Sequence, residues 1–272
     1  MLKDITLGQY FPGSTVAHRL DPRTKILLVV LYIVALFCAK GAVGYAVMAL
    51  VLLTCARISK VKFKSLVRGL KPVLFIIIFT AIMNLFFTPG ENYIFELGFL
   101  RVSAEGLRNA FFMVLRIMML IMGTFLMTYT TSPISLTDGL ERLLNWMKKL
   151  HVPVHELAMM MSIALRFIPT LIEETDKIMS AQKARGADFE SGNLIQKAKA
   201  MLPILVPLFV SAFRRADELA TAMECRCYHG GEGRTRLKTL RLTAKDWLLS
   251  AVCVAVLCCI ACSGALWARF WG

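Results

Sequence analysis

Trp247–Ala268 reads WLLSAVCVAVLCCIACSGALWA, a run without one acid or base. At about 1.5 Å per residue, a helix over this run crosses the ~30 Å of hydrocarbon in a bilayer. Upstream lie four more runs free of Asp, Glu, Lys and Arg: 26–39, 41–56, 72–90 and 117–137. The first two are short, so they read as a tight pair hinged at Lys40-Gly41, with Lys25 and Arg57 snorkelling at the ends. The helix holding 117–137 is expected to begin near Leu107, which carries Arg108 and Arg116 into it. These runs predict an all-α polytopic membrane protein with about five transmembrane helices, accompanied by long cytoplasmic helices.

Composition agrees. Of 272 residues, 57% are hydrophobic and only 18% charged, and the mean hydropathy is +0.62. Soluble, disordered and collagen-like classes are excluded, since a soluble domain carries roughly a quarter charged residues. Thirty-two Lys and Arg against eighteen Asp and Glu fit the positive-inside bias of membrane proteins and require no nucleic acid. Cys38, Cys55, Cys253, Cys258, Cys259 and Cys262 lie in apolar runs, where thiols pack as small hydrophobes; only Cys225 and Cys227 sit among polar residues. No disulfide framework is expected. Met1-Leu2-Lys3-Asp4 does not open a signal peptide, because the first apolar run waits until Ile26, so the N-terminus is expected to be retained.

The loops set the expected orientation. Arg57, Lys60, Lys62, Lys64, Arg68 and Lys71 crowd one connection without an acid, whereas Glu91, Glu96 and Glu105 outnumber Arg101 in the next. The first is therefore read as cytoplasmic and the second as external. This gives a plasma-membrane protein with a cytoplasmic N-terminus and an external C-terminus anchored by Trp267 and Trp271. Three regions follow: 1–131 with four spans, 132–245 in the cytoplasm, and 246–272 with the last span and a short tail.

Within 132–245 the periodicity changes. After a start at Pro133 with Ser135 or Thr137, the residues Leu136, Leu140, Leu143, Met147 and Leu150 form a stripe that predicts an amphipathic helix with its apolar side hidden. A second helix, from Pro153 to about Arg185, begins apolar through Leu157, Met160, Met161, Leu165 and Ile168. It turns polar at Glu173, Glu174, Asp176 and Lys177, with Pro169 expected to bend it and Gly186 to cap it. A third repeats the plan, from Met201-Leu202-Pro203 through Leu205 and Phe209 to Arg214, Arg215, Asp217, Glu218 and the end at Glu224-Cys225-Arg226-Cys227. Each long helix thus delivers an arginine at its tip, Arg185 and Arg226, 41 positions apart. An arginine there can dock, because its fork makes paired hydrogen bonds to a carboxylate that a lysine cannot copy.

No catalytic constellation accompanies these features. Gly230-Gly231-Glu232-Gly233-Arg234-Thr235 has neither the spacing nor the lysine of a phosphate-binding loop. Cys225, Cys227 and His229 fall short of a zinc site. His151 and His155 lack the His-Glu-x-x-His pattern, so no metal is assigned. Arg116 admits two readings: a substrate or proton site, or a buried charge satisfied by neighbouring helices. A secondary transporter would show repeated halves, and the spans here are asymmetric.

Gly8-Gln9-Tyr10-Phe11-Pro12-Gly13-Ser14 and His18-Arg19-Leu20-Asp21-Pro22-Arg23-Thr24-Lys25 resemble the N-terminus of energy-coupling factor (ECF) transporter transmembrane components, the T components. Thr131-Ser132-Pro133, Leu140-Glu141, Leu165-Arg166-Phe167-Ile168-Pro169-Thr170 and Ala181-Gln182-Lys183-Ala184-Arg185-Gly186-Ala187 continue the likeness in order. The resemblance implies a non-catalytic coupling subunit of an ATP-driven importer. It would join two ATP-binding-cassette (ABC) ATPase subunits to a small membrane S component that captures a vitamin or metal ion, and would be shared by several S components. It further implies ATPase docking by Ala184-Arg185-Gly186 and, by position, Cys225-Arg226-Cys227, where cysteines replace both small neighbours. The candidate surface for that S component is the apolar faces from Leu157 to Ile168 and from Leu202 to Val210, with Leu157, Met160, Met161, Leu165, Ile168, Leu202, Leu205 and Phe209. No cofactor is expected on this chain, with ATP and Mg held by the partner ATPases. The alternatives are a secondary transporter or a dedicated ABC permease.

Overall fold

The structure, a computed structural model, describes residues 10–39, 41–87, 93–97, 100–189, 193–231 and 242–271, with backbone alone for the strands before Ser103 and for α10 beyond Ile260. These residues form ten α-helices and one short hairpin in two compact units. One unit comprises Gly8–Leu140 with Leu240–Gly272, and the other contains Glu141–Thr239.

In the first unit α1 (Val16–Arg19) precedes α2 (Pro22–Cys38), α3 (Gly41–Ser59), α4 (Phe63–Leu70), α5 (Leu74–Phe87) and α6 (Ala104–Thr130). After α7 (Pro133–Leu143), α10 (Ala244–Trp271) completes it. The long α6 is the axis against which α2, α3, α4 and α5 pack. Between them lie Leu36, Met48, Leu66, Ile77, Met119, Met122 and Tyr129. The outward residues of α3 and α5, including Val43, Leu50, Phe75, Ile76 and Phe79, are apolar and exposed. Helices apolar on every side belong in lipid, where no aqueous face is needed.

The α2–α6 contact has a clear register. Lys25 Nζ donates to the Thr130 carbonyl at 2.9 Å and to Thr131 Oγ1 at 3.2 Å. Seven residues on, Tyr32 lies against Gly123, where a Cβ would run into its ring, and its hydroxyl donates to the Met119 carbonyl at 3.2 Å. The helices therefore run antiparallel, with Lys25 level with the C-terminus of α6. The Lys25 ammonium meets the Thr130 carbonyl, which has no partner inside α6 and carries the negative end of its dipole.

A buried carboxylate fixes α10. Asp246 accepts from the Thr243 backbone N–H at 2.7 Å, closing the first turn of its own helix as a capping box does. Its other oxygen accepts from the Asp21 N–H at 3.1 Å. Asp21 in turn caps α2 by accepting from the Arg23 N–H at 3.0 Å. The stretch 18–25 is thus a junction where α2, α6 and α10 meet, a role that the residue pattern alone did not disclose.

Several expected boundaries shift. The hinge at Lys40-Gly41 leads into α3 with Gly41 at a φ of 72°; Lys40 itself lies outside the described residues. The span expected over 72–90 begins at Phe63, because α4 and α5 continue through a 3-10 turn at Lys71–Val73 that accommodates Pro72. In α4, Leu66 and Leu70 are buried and Gly69 lies against Phe125, while Lys64 and Arg68 stay exposed. The charge-free run 117–137 is not one helix: α6 begins at Ala104, capped by the Ser103 hydroxyl, and stops at Thr130. Ser132, rather than Ser135 or Thr137, starts α7, since its hydroxyl accepts from the Ser135 N–H and its carbonyl from the Leu136 N–H. Between α5 and α6 an antiparallel hairpin, β1 (Tyr93–Leu97) with β2 (Leu100–Ser103), interrupts an otherwise helical chain.

In the second unit a 3-10 segment at Leu144–Leu150 ends at His151 in a left-handed conformation. The change from α to 3-10 period breaks the expected stripe, leaving Leu150 exposed; Leu140, at the end of α7, is exposed too. Two helices of 31 residues follow, α8 (Val154–Ala184) and α9 (Leu194–Glu224), continuous through Pro169, Pro203 and Pro207. Among the described residues five helices could cross a membrane by length and composition: Gly41–Ser59, Phe63–Phe86, Ala104–Thr130, Val154–Ala184 and Ile195–Glu224. The last two were expected in the cytoplasm; their apolar first halves meet the test. The shorter α2 and the described Asp246–Ile260 of α10 are the remaining apolar segments.

Candidate functional site

Both helix tips are built alike. At the end of α8, the Gly186 N–H donates to the Lys183 carbonyl at 3.0 Å and the Ala187 N–H to the Gln182 carbonyl at 3.0 Å, with Gly186 at a φ of 88°. At the end of α9, the Cys227 N–H donates to the Glu224 carbonyl at 2.8 Å and the Tyr228 N–H to the Met223 carbonyl at 3.1 Å, with Cys227 at a φ of 54°. Each set is the Schellman closure of a helix C-terminus. Arg185 and Arg226 occupy the same position in it, the residue just before the left-handed one. Both are exposed.

The departure at Cys225-Arg226-Cys227 therefore does not alter the backbone. Glycine adopts the left-handed conformation without strain, whereas a side chain there costs about 1 kcal/mol or more. Cys227 holds it nonetheless, and His229 Nδ1 lies 2.8 Å from the Cys227 carbonyl oxygen, within the same turn. Cys225 and Cys227 are both exposed thiols.

Arg215 donates to Glu174 Oε2 at 2.8 Å, joining α9 to α8. Arg185 lies eleven residues beyond Glu174, and Arg226 eleven beyond Arg215, so each tip stands about 16 Å from that contact. Were the helices parallel, the end of α8 and the start of α9 would be about 47 Å apart, and the nine residues between them bridge at most about 36 Å. The helices must cross at an obtuse angle. Their arginine tips then point apart, on the order of 30 Å from each other. Two similar cations, presented by one cross-braced pair of helices, suit a partner with two similar grooves.

The apolar halves face outward as well. Leu157, Met160 and Met161 on α8 and Leu202, Leu205 and Phe209 on α9 are exposed, while Leu165 and Ile168 are half-buried. Val206, Val210 and Phe213 extend the α9 surface, with Phe213 stacked on Phe209. Val206 and Val210 fall within the expected face from Leu202 to Val210; Phe213 lies beyond it, although its spacing of four residues places it beside Phe209. The two histidines do not share a helix: His151 ends the 3-10 segment, and His155 Nδ1 lies 2.9 Å from Glu141 Oε1.

Comparison with known proteins adds the family. The cobalt transport protein family, CbiQ, matches residues 13–237. A transmembrane protein of the energy-coupling factor transporter, EcfT, from Clostridium kluyveri is 56% identical over 273 residues, covering the whole of both chains. The EcfT of Thermosediminibacter oceani is 56% identical, over 90% of this chain and 92% of its own. That of Bacillus subtilis is 50% identical, over 90% of this chain and 93% of its own. The chain belongs to the ECF transporter T components. It is a multi-pass membrane protein and a transporter membrane subunit. As a T component it carries its family-like N-terminal stretch at the α2–α6–α10 junction, and its Ala-Arg-Gly stretch at the tip of α8.

Proposed function

We propose that this T component is the coupling subunit of an ATP-driven ECF importer, joining two ABC ATPases to a small S component that captures a vitamin or metal ion. Several S components share it. The observation that carries the reading is the pair of arginines at equivalent positions of two closed helix ends, held apart by a cross-braced pair. In this reading Ala184-Arg185-Gly186 enters a groove of one ATPase and Cys225-Arg226-Cys227 a groove of the other, each guanidinium making charge-assisted hydrogen bonds. ATP and Mg bind the ATPases, which supply the hydrolysis.

The mechanism follows from levers. ATP-driven closure of the ATPase dimer draws the two tips together, and the Glu174–Arg215 contact acts as the crossing about which α8 and α9 scissor. Their opposite, apolar halves then shift, and with them the S component resting on Leu157, Met160, Met161, Leu165, Ile168, Leu202, Leu205 and Phe209. Thioethers suit such a surface, because Met repacks cheaply against different partners. The N-terminus and the charged halves of α8 and α9 face the cytoplasm, and the C-terminus lies outside.

The native thiols of the second tip test this directly. Maleimide labelling resolved by peptide mass should modify Cys225 and Cys227 readily in the isolated subunit, and at least ten-fold more slowly once the ATPases are bound. Equal labelling with and without ATPases would remove the α9 tip from the docking contact.

A further inference from the structure

Arg116 of α6 lies deep within the apolar part of the first unit, and its position is set by the α2–α6 register. Lys25 pairs with Thr130 and Tyr32 with Gly123, so the residues near Cys38, the last of α2, stand level with Arg116. Above that level α2 and α3 turn back at Gly41, while α6 continues through twelve more residues to Ala104, about 18 Å. The backbone of α10, which starts beside α2 at Asp246, runs on to Trp271, about 12 Å past the end of α2. The α2–α3 tip is therefore a ledge below the tops of its neighbours. It stands about 20 Å from Lys25 and about 24 Å from Arg57, the basic residues that mark the opposite membrane edge, so it falls short of the ~30 Å hydrocarbon thickness.

Arg116 sits at this ledge with incomplete bonding. Its Nε donates to the Tyr45 hydroxyl at 2.9 Å, and its guanidinium lies 5.5 Å from the Phe37 ring centre and 5.8 Å from that of Tyr45. Tyr45 is the only hydrogen-bond partner of Arg116 among the described residues, and one of five donors is thereby used. Described acids of the unit are engaged or distant: Asp21 and Asp246 belong to the junction at the far end of α2, Asp138 lies in α7 beyond the C-terminal end of α6, and Glu105 is eleven residues along α6, about 16 Å. Leaving the Nη groups bare in hydrocarbon is expensive, and charges at such depth draw in polar groups by snorkelling or local thinning. Phe37, the aromatic ring beside the cation, is itself exposed.

We propose that the ledge is a phospholipid site in which Arg116 grips the headgroup phosphodiester of a lipid from the leaflet above the α2–α3 tip. A guanidinium fork takes two phosphate oxygens in parallel, Tyr45 and Phe37 hold its plane, and the exposed face of Phe37 meets the acyl chains. Nothing in this depends on the docking assigned to the arginine tips.

The test uses the whole transporter complex in native cells with a photo-crosslinker beside Arg116, Phe37→p-benzoylphenylalanine, followed by mass analysis of the adduct. A phospholipid adduct is expected; an adduct to another membrane protein, or to this chain alone, overturns the site. In parallel, the purified complex is titrated with dioleoyl phosphatidylglycerol and, separately, with dioleoylglycerol, and bound lipids are counted by native mass spectrometry. The wild type should hold one phospholipid at least ten-fold more tightly than Arg116→Met, Arg116→Lys should fall between, and dioleoylglycerol should not fill the site. Identical retention by wild type and Arg116→Met, or equal binding of the two lipids, contradicts it.

Discussion

Arg185→Glu abolishes recovery of the ATPases with this T component and, with it, substrate uptake, while the protein still inserts and folds in the membrane. The side chain is exposed and lies just before the left-handed Gly186, so its replacement disturbs no packing and leaves the Schellman bonds through Gly186 and Ala187 in place. The loss is confined to the partner. Removing one member of a desolvated charge pair costs about 2–5 kcal/mol, and an acid placed opposite an acid adds repulsion, so affinity falls by more than about 100-fold. Arg226→Glu should have a comparable effect, because the backbone of the second tip matches that of the first despite its cysteines. Affinity purification of tagged variants, with ATPase subunits quantified on the same gel, gives the readout. Full recovery of ATPases with either variant would take that tip out of the contact.

Asp246→Ala has the largest expected effect on the fold itself. Its carboxylate is buried, accepts from the N–H groups of Asp21 and Thr243, and lies near the buried Lys25. The substitution leaves two donors unsatisfied and takes away an opposite charge that favours the buried Lys25 ammonium, a loss of about 3–5 kcal/mol. The melting temperature of the solubilised protein should drop markedly, with α10 becoming protease-sensitive first. Asp246→Asn, which keeps an acceptor, should lose less. An unchanged melting curve for Asp246→Ala would mean that α10 is held by its apolar contacts alone.

How much of this was legible in the chain depends on which physical signal marks each feature. Runs without charge mark helices that need no aqueous face, so α2, α3, α6 and α10 could be read from Lys25, Lys40, Arg57 and the gaps between them. The start of the third span could not. Lys64, Arg68 and Lys71 looked like a loop because charge counts do not register that Leu66, Gly69 and Leu70 lie four and three apart against α6. The break at Thr131 was hidden inside an uncharged run for the same reason, since Ser132 and Pro133 end one helix and start another without any change in polarity.

The tips show the limit most sharply. Gly186 advertises a left-handed residue, so the closure of α8 was readable; Cys227 carries no such signal, and only the backbone reveals that α9 ends in the same motif. The 41-residue offset was visible, but its meaning was not. It became structural once Glu174 and Arg215, separated by the same offset, proved to be the contact between the two helices. Lys25 is another such case: one base at the edge of an apolar run, whose role depends on the Thr130 carbonyl and the Thr131 hydroxyl, more than a hundred residues away.

The central claim, that this T component couples ATPases to capture proteins, is met most directly by purifying a tagged copy from its native cells in gentle detergent, identifying by mass spectrometry what stays bound, and assaying ATP hydrolysis on the same sample. The account predicts two ABC ATPase subunits for each copy of this chain, several different small membrane proteins across the population, and hydrolysis that disappears when the ATPases are stripped away. Recovery of the chain alone, with uptake driven by an ion gradient and indifferent to ATP, would contradict it.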